Sequence, residues 1–307
     1  MHGLLLIDKP SGLSSHDVVR HVRRLFKTRK VGHAGTLDPL ATGVLPVAIG
    51  EGTKLLQFLL AEKKAYRATM RLGVTTDTLD SAGAKMTESE LPVEVLSLLP
   101  NVIQNFTGTI EQIPPMYSAL KRNGVPLYKL ARAGQVVDRE ARSVVIERLD
   151  LLDVQLPDVT IEVECTKGTY IRTLCADIGD NLGCGAHVIS LRRLRTGQYS
   201  IERCLSLDNL GTLEDVVKTS AFMSVDEALS DYPALELVED AAQRLSNGMS
   251  PLVGESINPP DMAPGDLIRL VFAGRLLAMA RYTPEQQNKK RGDFELIRVF
   301  NSHAVGD

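Results

Sequence analysis

One carboxylate stands in a stretch that otherwise carries no acidic side chain. Residues 32–46 read Gly-His-Ala-Gly-Thr-Leu-Asp-Pro-Leu-Ala-Thr-Gly-Val-Leu-Pro, and Asp38 is their only acid. An acid in such a place has two uses. It can act as a nucleophile or a general base. It can also close an Asx turn on its own backbone, which is a common role for Asp before proline. Composition alone favours the turn. The familiar alternatives find no support. Gly50-Glu51-Gly52-Thr53-Lys54 has the wrong order for a phosphate loop. No dinucleotide fingerprint, serine elbow or zinc-protease helix motif is present.

The elements that must carry these residues follow from periodicity. Ser14 to Asp17 resembles a helix start, and Val18, Val19, Val22, Leu25 and Phe26 follow at helical spacing. Glycine and proline punctuate residues 32–52, which predicts turns rather than a regular element. Asp38 precedes Pro39 and is therefore expected on extended or turn backbone. Leu55, Leu56, Leu59 and Leu60 predict a helix over residues 53–62. Tyr66 then opens an alternating strand, with Ala68, Met70 and Leu72 on its own face. Residues 159–166 alternate most clearly. After Lys167-Gly168-Thr169 the period changes to a helix that ends near Gly183. Tyr170 and Arg172 fall at that strand-to-helix junction. A cation in a first helical turn opposes the helix dipole, which hints that Arg172 has a partner elsewhere. By spacing alone Tyr66 reads as core, Arg172 as a surface ion pair and Leu191 as a packed leucine.

The chain has 307 residues, which suggests two domains. Texture changes near residue 230, where a Pro/Gly-rich stretch precedes short strands at 267–272, 275–282 and 295–300. Ala273-Gly274 is a plausible hairpin turn there. The expected division is a catalytic unit over 1–230 and a small β-rich unit over 231–307. The four cysteines show no zinc spacing and read as reduced thiols, so no metal is expected. The short apolar run Leu4–Ile7 is too brief for a signal peptide, and no window suits a membrane span. A cytoplasmic protein is expected. Net charge is −3, yet six basic and no acidic side chains lie between Arg20 and Lys30. Residues 121–148 carry seven basic and three acidic groups, while 205–240 carry one and nine. Such patches can steer a polyanion, or can simply be solvated faces.

The run G-H-A-G-T-L-D-P-L-A-T-G-V-L resembles the signature of the TruB family of tRNA pseudouridine synthases. Asp8-Lys9-Pro10-Ser11-Gly12, Lys64-Ala65-Tyr66, residues 114–121, Lys167 to Arg172, and Gly185 to Arg193 resemble further family blocks in family order. The resemblance spans roughly residues 3–200. The tail resembles an RNA-binding PUA-type domain more loosely.

That resemblance implies an α+β fold, with a mixed, mainly antiparallel catalytic sheet and a PUA-like C-terminal domain. It implies conversion of uridine 55 to pseudouridine in the tRNA T stem-loop. Asp38 would be the catalytic carboxylate, with Arg172 as its ion-pair partner and Tyr66 stacked on the target base. His33 would help extrude the nucleotide, and Tyr170 and Leu191 would contact substrate. Lys9 and Pro10 would support the site structurally. A paired guanidinium is expected to hold Asp38 ionised and lower its pKa. The isomerisation changes no oxidation state, so no cofactor is expected. Guide-dependent relatives tend to carry Lys-Val where this chain has Leu40-Ala41. Stand-alone action as a monomer, without guide RNA or membrane, is therefore expected. The rival outside this class is an RNA-binding chaperone with a vestigial pocket.

Overall fold

The computed structural model describes residues 1–60, 63–284 and 292–300. Strands β1 (Gly3–Lys9), β2 (Val31–His33), β3 (Thr42–Ile49) and β4 (Lys64–Leu72) belong to an eleven-stranded mixed sheet. Its main path runs Leu205–Ser206, β1, β3, Ala186–Thr196, β4, Asp158–Cys165, Arg142–Gln155, Gly108–Gln112. Most neighbours are antiparallel, but β1 pairs in parallel with Leu205–Ser206 and β3 with Ala186–Thr196.

The alternating sequence of β4 appears directly in its burial. Tyr66, Ala68 and Met70 are buried while Arg67 and Arg71 are exposed. A period of two on a one-sided sheet requires this. The strand begins at Lys64, two residues before the expected start. The helix α1 (Ser15–Leu25) is fixed at its start by a reciprocal cap between Ser14 and Asp17. It buries Val18, Val19 and Val22 and turns Arg20 and Arg24 outward.

The helix expected over 53–62 is shorter than its sequence suggests. A 3₁₀ segment, Gly50–Leu55, leads into one α turn, Leu56–Leu59. The Thr53 hydroxyl donates to the Gly50 carbonyl at 2.8 Å, which favours the tighter turn. Residues 61–62 lie outside the described residues.

A second sheet of five strands follows the acidic stretch. Its order is Ser256–Ile257, Ala234–Leu237, Leu267–Phe272, Arg275–Tyr282, Phe294–Val299. The expected strands at 267–272 and 275–282 are therefore present, and the third is offset by one residue. Ala273 and Gly274 both have positive φ, 49° and 70°, as a two-residue hairpin turn with the right twist requires. Helix Glu239–Ser246 packs Ala241, Ala242 and Leu245 against this sheet.

The two sheets share apolar packing. Leu5 and Ile7 of β1 face the main core, whereas Leu4 and Leu6 face a cluster that includes Val271, Leu276, Met279 and Phe300. All four β1 residues are fully buried. Lys54 donates to the Val299 carbonyl at 2.8 Å, and Leu276 N donates to Asp226 at 2.7 Å, across the same junction. Cys165, Cys175 and Cys184 are buried free thiols, and Cys204 is a partly buried one.

Candidate active site

The acid-bearing loop, residues 34–41, joins β2 to β3 and lies over the start of α1. The N-terminal segment fastens it at several points. Lys9 is fully buried, and its Nζ donates to the carbonyls of Pro10, Leu13 and Pro39 at 2.9, 2.6 and 3.3 Å. Burial pulls its pKa down to about 8. Gly12 N also donates to the Pro39 carbonyl, at 2.8 Å, and the Ser11 hydroxyl donates to the Leu40 carbonyl at 3.1 Å. The Ser15 hydroxyl accepts from Leu37 N at 2.8 Å and donates to the Leu37 carbonyl at 3.0 Å. The Asp38 carbonyl accepts from Ala41 N at 3.0 Å. Backbone atoms thus close this turn, and the Asp38 carboxylate is left to face elsewhere.

It faces Arg172. Arg172 Nε lies 2.9 Å from Asp38 Oδ2. The arginine side chain is only 6% exposed, against 36% for the aspartate, so the acid meets the cleft and the base lies behind it. Arg172 Nη1 donates to the Thr78 carbonyl and Nη2 to the Tyr117 carbonyl, both at 2.7 Å. The close contact to Asp38 therefore runs through Nε, while the terminal nitrogens donate to backbone carbonyls. This accounts for a cation in the first turn of helix Ile171–Asn181. Its local cost is offset by three oxygen partners.

A second carboxylate enters the site unannounced by the sequence. Asp80 is 8% exposed at its side chain and lies 3.4 Å from Arg172 Nη1. It accepts from the Thr78 hydroxyl at 2.7 Å and from Ala82 N at 3.1 Å. One buried arginine therefore answers two acids. This changes the expectation for Asp38. Burial pushes its carboxyl above the ordinary value; Arg172 pulls it down, Asp80 adds to the rise, and Lys9 opposes it. The expected net lowering is not met, because the walls of the cleft thin the water around the acid and the cation is shared.

Asp38, Tyr66, Tyr170, Arg172 and Leu191 all line one cleft of about 610 Å³. Tyr66 is 8% exposed, and burial raises its phenol pKa against the pull of Arg193. Tyr170 precedes helix Ile171–Asn181 and is fixed by Gln112, whose Oε1 accepts from Tyr170 N at 3.0 Å. Leu191 is 7% exposed and pairs with Ala68 of β4. His33 is not among the lining residues. It ends β2, and its Nδ1 is buried without a partner. Burial and Arg193 lower its pKa to about 4, so the ring is neutral near pH 7.

Arg193, the last residue of the Gly185 to Arg193 block, joins the site although no role is expected of it from the sequence. It is 1% exposed and lines the same cleft. Among the described residues no group of His, Cys, Asp and Glu has the makings of a metal site. None of their helices is long and apolar enough to cross a membrane. What the arrangement offers is a reactive carboxylate, a buried cation behind it, and an aromatic wall wide enough for a planar ring.

Comparison with known proteins agrees with that geometry. A family model for the N-terminal domain of TruB family pseudouridylate synthase matches residues 23–171. A second, for the C-terminal domain of tRNA pseudouridylate synthase B, matches residues 172–232. The chain is 47% identical to the tRNA pseudouridine synthase B of Syntrophotalea carbinolica over 98% of each chain. It is 48% identical to that of Burkholderia lata, over 92% of this chain and 87% of the relative. Among solved structures, a chain of a Cbf5-Nop10-Gar1 complex is similar at a TM-score of 0.73 and 27% identity, covering 97% of this chain and 84% of that one. Two family models in tandem and near one-half identity along almost the whole length place this chain in the TruB family of pseudouridylate synthases.

Proposed function

We propose that this enzyme isomerises uridine 55 in the T stem-loop of tRNA, with Asp38 as the catalytic carboxylate. The observation that carries this reading is the Arg172–Asp38 contact at the floor of a cleft walled by Tyr66, Tyr170 and Leu191. Uridine must lose its N1–C1′ bond, turn, and rejoin through C5. A positioned carboxylate divides that change into easier steps. Tyr66 offers a flat face for a base drawn out of its helix, and Tyr170 and Leu191 complete the wall. Extrusion costs a few kcal/mol. His33, on the strand leading into the loop, is suited to fill the space the nucleotide leaves.

Residues 1–230 act as the catalytic unit in this reading, and 231–307 as a PUA-like RNA-binding unit, of which 285–291 and 301–307 lie outside the described residues. The basic groups of α1 and of residues 121–148 suit the RNA backbone. The enzyme acts as a cytoplasmic monomer without a guide RNA, a reading supported by Leu40-Ala41 after the Asp-Pro pair. A tRNA transcript incubated with wild type and Asp38→Asn tests the assignment. Pseudouridine should form only with wild type; turnover by Asp38→Asn at the wild-type rate would remove Asp38 from its role. A requirement for added guide RNA would refute stand-alone action.

A further inference from the structure

Strand Ala186–Thr196 carries three arginines close together, and they have different fates. Arg192 pairs with Asp8 at 2.7 Å and Arg195 with Glu164 at 3.0 Å, both on partly exposed faces. Arg193 points the other way, into the protein. It stands opposite Tyr66 of β4 on one side and Gly43 of β3 on the other. A Cβ on Gly43 would come within 2.1 Å of the Arg193 carbonyl, so the strand approaches as closely as glycine permits. Arg193 Nε donates to the Val44 carbonyl at 2.7 Å and Nη2 to the Gly35 carbonyl at 3.1 Å. It lines the same cleft as Tyr66 and pulls against the burial that raises the Tyr66 phenol pKa. Among the described residues no carboxylate lies within ion-pair distance of it, although it is 1% exposed.

A buried charge without a counter-ion is expensive, and a neutral side chain could fill the same space at lower cost. The cost becomes understandable if negative charge arrives during the reaction. It does arrive by any route open to Asp38. If the N1–C1′ bond breaks, its electron pair stays on the detached base. If the carboxylate instead adds to the base, the ring oxygens take up the charge. Either way the base becomes anionic inside the cleft that Arg193 lines. A fixed cation in a water-poor site stabilises such charge without reorganising.

We propose that Arg193 is a positioning residue for the uridine chemistry: its buried guanidinium stands beside Tyr66, braces the loop that carries Asp38 through the Gly35 carbonyl, and leaves an uncompensated positive charge where the base turns negative. The role rests on the uridine reading above, and the two can fail separately.

Single-turnover rates on a tRNA transcript, together with tRNA binding and thermal melting, provide the test for full-length Arg193→Met and Arg193→Lys. Arg193→Met should slow the reaction roughly 100-fold while tRNA affinity changes by less than about twofold, as for loss of a transition-state contact. Arg193→Lys should restore part of the rate, since it keeps the charge and loses the fork. A folded Arg193→Met with the wild-type rate overturns the proposal. So does a rate loss matched by lost tRNA affinity. If Arg193→Met does not fold, Arg193→Lys decides: a several-fold slower rate at unchanged affinity supports the role, and an unchanged rate overturns it. Turnover by Asp38→Asn would instead overturn the uridine reading itself.

Discussion

Replacing Ser15 by alanine would cut two hydrogen bonds to one residue, Leu37, immediately before Asp38. The perturbation is clean. Ser15 is the first residue of α1, the helix is capped by Ser14, and alanine is the best helix former. Ser15 is 2% exposed, so water cannot readily replace its hydroxyl. Leu37 N and the Leu37 carbonyl would both lose their 2.8 and 3.0 Å partner. Each buried group left alone costs about 1–3 kcal/mol, and partial collapse of the loop recovers some of it. A net loss of roughly 2–4 kcal/mol follows, which lowers the melting temperature of a chain this size by roughly 3–6 °C. Asp38 is the next residue, and a displacement of about 1 Å at a reacting group can cost about 100-fold in rate. Thermal melting followed by circular dichroism measures the first effect. Single-turnover kinetics well below both melting points measures the second. A melting temperature within about 1 °C of wild type would refute the stability reasoning. A large drop in melting temperature with an unchanged rate would refute the claim that Ser15 sets the position of the acid.

The raised Asp38 carboxyl has a sign that can be read from a pH profile. The reactive form is ionised, so the single-turnover rate should fall as pH drops through a value above the ordinary aspartate range. In Arg172→Met the countercharge is gone and two acids remain, so that limb should move to still higher pH; an unmoved limb would contradict the pairing. His33 gives a stability signature instead. Its folded pKa of about 4 lies below the ordinary 6.5, so the unfolded chain binds more protons between these values. Stability should therefore fall as pH drops from about 6.5 and level off near 4, by up to about 3 kcal/mol. His33→Asn should flatten that slope in denaturant melts, and an unaltered slope would assign it to other groups.

Local pattern makes much of the fold legible. Alternation in β4 and in Asp158–Cys165, the cap at Ser14, and the turn at Ala273-Gly274 all depend on neighbours in sequence, which a sequence displays. The helix expected after Thr53 is cut short, because four leucines mark burial and not the tighter turn that Thr53 closes. At the site, Asp38, Tyr66 and Arg172 are legible through extended family blocks, and the cleft does bring them together. Asp80 is not legible: it lies 92 residues from Arg172 in the chain and sits in no distinctive run. It adds to the burial that turns the Asp38 shift upward against the pull of the arginine. Arg193 is hidden for a different reason. Arg192 and Arg193 close one family block together, and only strand alternation separates an outward from an inward arginine.

The full burial of β1 has a bearing on how the chain can be divided. Leu5 and Ile7 serve one core and Leu4 and Leu6 serve the cluster shared with the second sheet, so β1 is a partition wall with no weather side. A truncated chain ending at residue 230 would strip the covering from Leu4, Leu6, Val44 and Ala48 together. It would expose a sticky stripe along the strand next to β3, which leads out of the Asp38 loop. Loss of activity in such a truncation would then report a damaged wall, and swapping the tail for a foreign one would require matching Val271, Leu276, Met279 and Phe300 before any RNA contact mattered.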